Sequence, residues 1–363
     1  MRARTLITGV TGYVGARVAS KVLNESDAPV VLWTQASSAD EAAARTKVLE
    51  QKFGAASLRI QYRFGRLEDA EPFASVDASE IGTIVHSAAV TRFNVDQETA
   101  RRVNTEGSEK VFKFAQSCPK LERLAHVSTL YTSGLTEGPI NEEAFDSVDG
   151  FANHYERSKY AVEQLLMREY SSLPWQAFRV ATIVADDDDG VVTQYNAVHN
   201  TLKLVYYGLI STVPGDLATP LYFVTGKFVT DAIVQVLKKP LNHRFFNVAH
   251  TEAESLRLGE LIDIAFAEFE TEAGFKSRRV LKPLFVDYEL FDMLVRGTEG
   301  FSGGVLRQAI DSISPFARQL FVSKHVNNDK LASTIDDYRA VDVAPLVKGV
   351  CSHLMRTRWG RLS

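Results

Sequence analysis

Tyr155 and Lys159 stand four positions apart in FANHYERSKYAVEQLL, residues 151–166, where a strongly helical run begins. Positions i and i+4 share one helix face, so this spacing sets a phenol beside an ammonium. The positive charge favours the phenolate and lowers the tyrosine pKa. A tyrosine tuned in this way passes protons near neutral pH. The same spacing also occurs on solvated helices, so the pair gains meaning only from the elements that surround it.

The first of these is at the N-terminus. Arg4–Thr8 reads as a short buried strand, followed at once by Gly9, Thr11, Gly12, Tyr13, Val14 and Gly15, after which apolar residues take helical spacing. Strand, glycine turn and helix in that order make a pyrophosphate cradle. The first glycine permits the turn, the second admits close backbone approach, the third lets the helix pack, and the helix N-terminus offers free N–H groups. The spacing is GxxGxxG, where the dinucleotide fingerprint is GxGxxG. A second strand at 28–34 runs into Gln35, Ala36, Ser37 and Ser38. No acid stands at its end to hold a ribose 2′-hydroxyl, and Ser37, Ser38, Arg17 and Arg45 are candidate partners of a 2′-phosphate, which favours NADPH over NADH.

Further strands are read at 58–64, 82–87, 121–127 and 175–184, with helices at 40–53 and 100–117, the latter containing Asn104. Ser87, Ala88 and Ala89 are small residues at a strand end, where a cofactor can lie against backbone. Ser128 and Thr129 end the 121–127 strand, on the edge where open α/β sheets bind ligands. His86, among apolar neighbours, reads as a core histidine. Alternating strands and helices predict the α/β class: a Rossmann-like, doubly wound parallel sheet with a smaller, mostly helical C-terminal substrate-binding subdomain. The division is 1–185 for dinucleotide binding and 186–363 for the substrate side, with 220–250 returning to the Rossmann domain. The run Asp186, Asp187, Asp188, Asp189 reads as a solvated loop and no metal site is expected, because no spaced His or Glu accompanies it. Residues 282–297 and 314–326 are rich in Phe, Leu and Val and suit a cap over an apolar pocket. The basic ending MRTRWGRLS reads as a solvated tail.

Composition narrows the class further. With 45% hydrophobic and 24% charged residues over 363 positions, the chain is an ordinary globular protein of one elaborated domain or two. A net charge of -4 gives no electrostatic case for nucleic acid. Cys118 and Cys351 lie too far apart in sequence for a ligand cluster and suggest no disulfide framework, so a reducing cytoplasm is expected. No apolar run reaches membrane-span length, and because the first residues run straight into a strand no signal peptide is expected.

Five segments, TGVTGYVG, HSAAV, VNTEG, HVST and YERSK, occur in this order and together resemble the extended short-chain dehydrogenase/reductase superfamily. The resemblance implies that Tyr155 is the general acid and that Lys159 holds the nicotinamide ribose and lowers the Tyr155 pKa. Thr129 would bind the substrate carbonyl, with Ser128 as runner-up, and Asn104 would position an active-site water and support the lysine. Arg66 and Leu67, in GRLED, fall near the adenine, where Gly-Asp-Leu is the usual pattern. HSAAVTRF, VSTLYTSG and NVAHTEAESLRLGELID further resemble the fatty acyl-CoA reductase and carrier-bound thioester reductase group, the male-sterility type. Two marks of nucleotide-sugar epimerases are absent: a tyrosine-glycine pair after the serine strand and an Arg-x-x-Asn-x-Tyr-Gly-Pro run.

The implied activity is NADPH-dependent reduction of an acyl thioester, on coenzyme A or a carrier protein, to aldehyde or alcohol. The alternatives are a ketone reductase or hydroxysteroid-like dehydrogenase, and behind it a nucleotide-sugar epimerase or dehydratase. Expected partners are the small or carrier-bound acyl substrate and an acyl or peptidyl carrier protein, met by Arg278, Arg279, Lys282 or the C-terminal arginines. The chain itself is expected as a monomer or homodimer.

Overall fold

The computed structural model describes residues 3–297 and 313–361. Seven strands form one sheet: β1 (Arg4–Thr8), β2 (Val30–Gln35), β3 (Ile60–Gly65), β4 (Ile81–His86), β5 (Arg123–Thr129), β6 (Trp175–Val180) and β7 (Phe245–Val248). Every pairing in it is parallel, in the order β3-β2-β1-β4-β5-β6-β7. β2 is buried along nearly its whole length and β6 throughout, as strands covered by helices on both faces must be. Helix α1 (Tyr13–Glu25) packs with α5 (Gly226–Leu237) over one face. Helices α3 (Gly107–Gln116) and α4 (His154–Arg168) cover the other, while α2 (Ala39–Phe53) links β2 to β3. The strand order reverses between β1 and β4, and this switch point opens the crevice at the carboxyl edge.

Two stretches depart from the expected elements. Residues 175–184 do not form one strand. Ala181 N–H still bonds the Val248 carbonyl at the end of β7, but Thr182 N–H turns to the Tyr222 carbonyl, and Thr182–Ala185 pairs with Phe223–Thr225 outside the main sheet. The chain changes partners because β7 ends there. The helix expected at 100–117 starts earlier, at Gln97, and runs as a π-helix over Ala100–Glu106 before tightening into α3. Such widened turns mark functional sites, and this one contains Asn104.

A second core lies beyond the sheet, built mainly from the helices Ala197–Tyr206, Leu258–Phe269 and Val343–Arg356. The C-terminal segment is not a solvated tail: Trp359 is buried, with its ring 5.2 Å from Tyr206 and 6.1 Å from Phe269. Residues 298–312, between the two runs read as the cap, lie outside the described residues. The cap is tied back to the sheet domain by the strand Lys324–Val326, which pairs with Gly138–Ile140. Among the described residues no helix is long and apolar enough to cross a membrane.

Beneath α4 lies a fully buried ion pair, Arg179 with Glu163 at 2.7 Å. The guanidinium is sandwiched between Phe145 and Phe245, 4.0 and 4.4 Å from their centroids, and Ser128 donates to the same carboxylate at 2.5 Å. Removing one partner of such a pair strands the other charge in an apolar interior. Arg179→Met is expected to cost about 3–5 kcal/mol, read as a lowered denaturant midpoint. Combining it with Glu163→Gln should recover much of that loss; an Arg179→Met protein as stable as the parent would refute this account.

Candidate active site

At the carboxyl edge the turn after β1 is held open by backbone. Gly9 has φ 74°, and a Cβ there would lie 2.6 Å from Ala88 N; a Cβ on Gly15 would lie 2.3 Å from the Gly9 carbonyl. Gly12 N–H bonds the Gly9 carbonyl at 2.9 Å, and Gly12 caps α1 with no side-chain hydrogen bond. The N–H groups of the first turn of α1 are therefore free for an anion. Ser87 donates to the Thr8 carbonyl at 2.7 Å, lashing the end of β4 to the end of β1. This is a backbone cradle beside a helix N-terminus, which fits the pyrophosphate of a dinucleotide.

A cleft of about 620 Å³ runs from this turn across the sheet. It brings together Gly9, Gly12, Tyr13, Val14, Gly15, Ser87, Ala89, Ser128, Thr129, Tyr155 and Lys159. Thr11, Gln35, Ser37, Arg66, Leu67, Ala88 and Asn104 are not among its lining residues. Helix α4, capped by Asn153 accepting from Glu156 N–H, delivers Tyr155 and Lys159 to the cleft. Both are buried.

Their electrostatics differ from the expectation that Lys159 lowers the Tyr155 pKa. Burial pushes the phenol above its ordinary value, and a hydrogen bond with the Thr129 hydroxyl opposes that rise only in part. Lys159 Nζ does not reach the phenol side of the pair. It donates to the Val127 carbonyl at 2.7 Å and lies 3.2 Å from His126 Nε2. Desolvation pulls the ammonium down to about 7, with Glu163 opposing. A phenol with a raised pKa stays protonated, which suits a proton donor.

The other predicted residues divide clearly. Thr129 faces Tyr155, whereas the Ser128 hydroxyl is spent on Glu163. Asn104 does not bond the lysine: its side chain takes Val90 N–H at 2.8 Å, the Val90 carbonyl at 3.0 Å and Ser158 Oγ at 2.9 Å. It fastens the segment after β4 to α4. His86 is a satisfied core residue, bonded to Thr8 Oγ1 and Ser108 Oγ.

The adenine side also differs. Arg17 pairs with Asp186 at 2.9 Å, and Tyr13 donates to the same carboxylate at 2.6 Å, so the first acid of the four-aspartate run is buried rather than solvated. Ser37 N–H and Oγ converge on Glu41 Oε2 at 2.8 and 2.7 Å, and Arg45 binds the other oxygen at 2.7 Å. The Ser37 N–H, then its hydroxyl and Arg45, hold the Glu41 carboxyl down at about 2. An acid thus stands beside the end of β2 after all, supplied by α2 rather than by the strand. Ser38 caps α2, and Arg66 N–H bonds Asp69. Of the cap basics, Arg278 stacks on Tyr206 at 4.4 Å and Lys282 pairs with Asp263.

Phe93, Tyr131 and Phe316 join the site, and no spacing singles them out, although they lie in HSAAVTRF, VSTLYTSG and the apolar 314–326 run. Phe93 centres 5.8 Å from each of Tyr131, Tyr155 and Phe316. Behind them a second cavity of about 70 Å³ shares Tyr131, Thr182, Val198 and Phe316 with the cleft, and its walls include Leu202, Val213, Phe223 and Leu261. Phe316 is 161 positions from Tyr155 in sequence (316 minus 155), so only the fold joins them.

Residues 7–233 match the family described as male sterility protein. Over 300 residues the chain is 28% identical to the isonitrile lipopeptide synthase of Streptomyces coeruleorubidus, covering 76% of this chain and 19% of that protein. Over 182 residues it is 29% identical to the chloroplastic fatty acyl-CoA reductase 2 of Arabidopsis thaliana, covering 44% of this chain and 30% of that one. The chain therefore spans less than a third of the length of these relatives. Among solved structures, the terminal R domain from the myxalamid PKS-NRPS pathway superposes with a TM-score of 0.77 at 19% identity, over 99% of this chain and 92% of that chain. UDP-glucuronic acid 4-epimerase from Bacillus cereus, in complex with NAD, gives 0.64 at 15% identity, over 97% and 99%. At these identities the structural likeness is one of fold. The family match runs through both the glycine turn and the Tyr155 helix, so the chain belongs to the male sterility protein family.

Proposed function

We propose that the chain reduces the carbonyl of an acyl thioester, carried on coenzyme A or on a carrier protein, with NADPH as the reductant, releasing an aldehyde or an alcohol. The observation that carries this reading is the cleft itself: Thr129 and Tyr155 stand against an aromatic wall that leads to an apolar cavity, suiting a carbonyl with an acyl chain attached. The relatives named for lipopeptide synthesis and fatty acyl-CoA reduction support the same substrate class.

The bound dinucleotide supplies the hydride. Thr129 and Tyr155 donate hydrogen bonds to the carbonyl oxygen, where negative charge develops, so they bind the transition state more tightly than the ground state. Tyr155 then gives its proton to that oxygen. The product of a thioester is a hemithioacetal, which breaks its C–S bond, expels the thiol and leaves the aldehyde. Lys159, when charged, holds the nicotinamide ribose. Ser37 and Arg45 serve the 2′-phosphate of NADPH by exchanging the Glu41 carboxylate, which takes their donors in the free chain, for the phosphate. In this reading residues 1–185 and the returning 220–250 segment hold the dinucleotide, and the rest of 186–363 covers the acyl group.

A panel of acyl-CoA, carrier-loaded acyl and simple ketone substrates, followed by NADPH oxidation and product mass, tests the assignment. Aldehyde or alcohol from a thioester is the expected result. Turnover of ketones alone, or isomerisation of a nucleotide sugar without net NADPH consumption, would replace it with another function.

Tyr155→Phe should lower kcat by about 10²–10⁴-fold while NADPH binding, followed by fluorescence, stays unchanged; full activity in this variant would defeat the mechanism. The pH profile has a definite sign. Lys159 is charged below about 7 and neutral above it. Since kcat/KM reports groups of the free enzyme, it should fall as pH rises through that region, and a profile rising there would contradict the role given to the lysine.

A further inference from the structure

His126 is the residue that the proposed chemistry leaves unexplained. It sits on β5, two positions before Ser128, fully buried, with its Nε2 3.2 Å from Lys159 Nζ. The other partner of Nζ is the Val127 carbonyl at 2.7 Å. An ammonium only donates, so when Lys159 is charged Nε2 is the acceptor and the imidazole proton sits on Nδ1. Among the described residues Nδ1 has no hydrogen-bond partner. A buried donor without a partner is uncommon in folded proteins and calls for a reason.

The groups around this contact come from each element packed on it. On β4, His86 has its ring centroid 5.6 Å from that of His126, and both of its nitrogens are taken, by Thr8 and Ser108. On α3, Phe112 presents its ring edge-on to His126, centroids 6.1 Å apart. On α4, Tyr155 lies one turn before Lys159 and Glu163 one turn after, the latter bound to Arg179 of β6 and to Ser128. His86 is saturated and Glu163 is committed to Arg179, so the side-chain acceptor held against the ammonium is His126.

We propose that His126 is a positioning residue for Lys159: its Nε2 holds the lysine charged against β5 in the free chain, ready for the dinucleotide ribose. The unpartnered Nδ1–H is then the consequence of fixing the tautomer that accepts. This deepens the function proposed above, since it rests on Lys159 as the lysine that binds the cofactor. Burial disfavours the ammonium and, with the Glu163 charge opposing, leaves it half-charged near pH 7. Losing an acceptor at that point lowers the charged fraction further.

The test uses the cofactor-free protein. Ring ¹⁵N shifts of His126 in the unmodified chain report the tautomer directly. The proposal requires Nδ1 protonated and Nε2 as acceptor; a proton on Nε2 would overturn it. With ¹³C-labelled lysine, the Lys159 titration should move down by about one unit in His126→Leu and return in His126→Gln, whose amide oxygen can accept. A shift of that size at a midpoint near 7 leaves roughly a fivefold smaller charged fraction at pH 7. NADPH binding at pH 7 should weaken to match in His126→Leu and recover in His126→Gln. An unmoved titration in His126→Leu, or equal loss of NADPH binding in both variants at every pH, would make His126 a packing residue only. Failure to reduce any thioester would leave the tautomer and titration results untouched, so the two readings fail separately.

Discussion

Everything in the cleft depends on how closely the turn after β1 approaches the end of β4. Gly9 and Gly15 leave no room for a side chain, because a Cβ on either would fall within 2.7 Å of the Gly9–Ala88 backbone or the Ser87 hydroxyl. That contact draws the start of α1 down onto the switch point, aims its free N–H groups into the crevice, and puts Ser87 where it can bond the Thr8 carbonyl. Tyr13, carried at the start of the same helix, reaches Asp186 just beyond the sheet, with Arg17 on the same carboxylate. One backbone approach thus sets both the floor of the pyrophosphate cradle and the path of the chain as it leaves the sheet for the cap.

The second constraint is the burial of polar groups on α4. Tyr155, Glu156, Ser158, Lys159 and Glu163 are all buried on a helix whose exposed face is ordinary. Each has a distinct partner: Thr129, Gln319, Asn104, His126 with Val127, and Arg179. Buried polar groups that are paired in this way specify one arrangement, because any slip of the helix would strand several of them at once. The raised pKa of Tyr155 and the lowered one of Lys159 follow from the same desolvation acting on an acid and a base.

This explains how far the sequence could be read. Periodicity and the glycine turn carried the parallel sheet, since strands and helices alternate locally up to Ala185. The i, i+4 rule correctly placed Tyr155 and Lys159 on one face. It could not say where the lysine's flexible stem would lead, and the ammonium goes to β5 instead of the phenol. Glu41 escaped notice because the acid beside β2 folds back from a helix, and rules built on strand ends do not look there. Asn104 lies in the helical run read at 100–117, but its bonds to Val90 arise from a π-helical turn that no spacing announces. Trp359 looked like part of a basic tail because its apolar partners, Tyr206 and Phe269, are scattered along the chain. In each case the missing information is a contact between distant segments.

The cap shows the same logic at the substrate side. An apolar wall has no directional preference, so packing alone would let Phe316 settle in several registers over Tyr155. Polar bonds to the start of α4 remove that freedom. Asn153 donates to the Pro315 carbonyl at 3.0 Å, Gln319 bridges Glu156 and Lys324, and Gln319 and Lys324 both donate to the Gly134 carbonyl. Asn153 and Glu156 flank Tyr155 in sequence, so the helix turn that carries the phenol also grips the segment that walls the pocket. Burial keeps these bonds strong and makes each costly to leave unmade. The distance between the aromatic wall and the proton donor is therefore set within one rigid turn rather than by the contact of two separately packed domains.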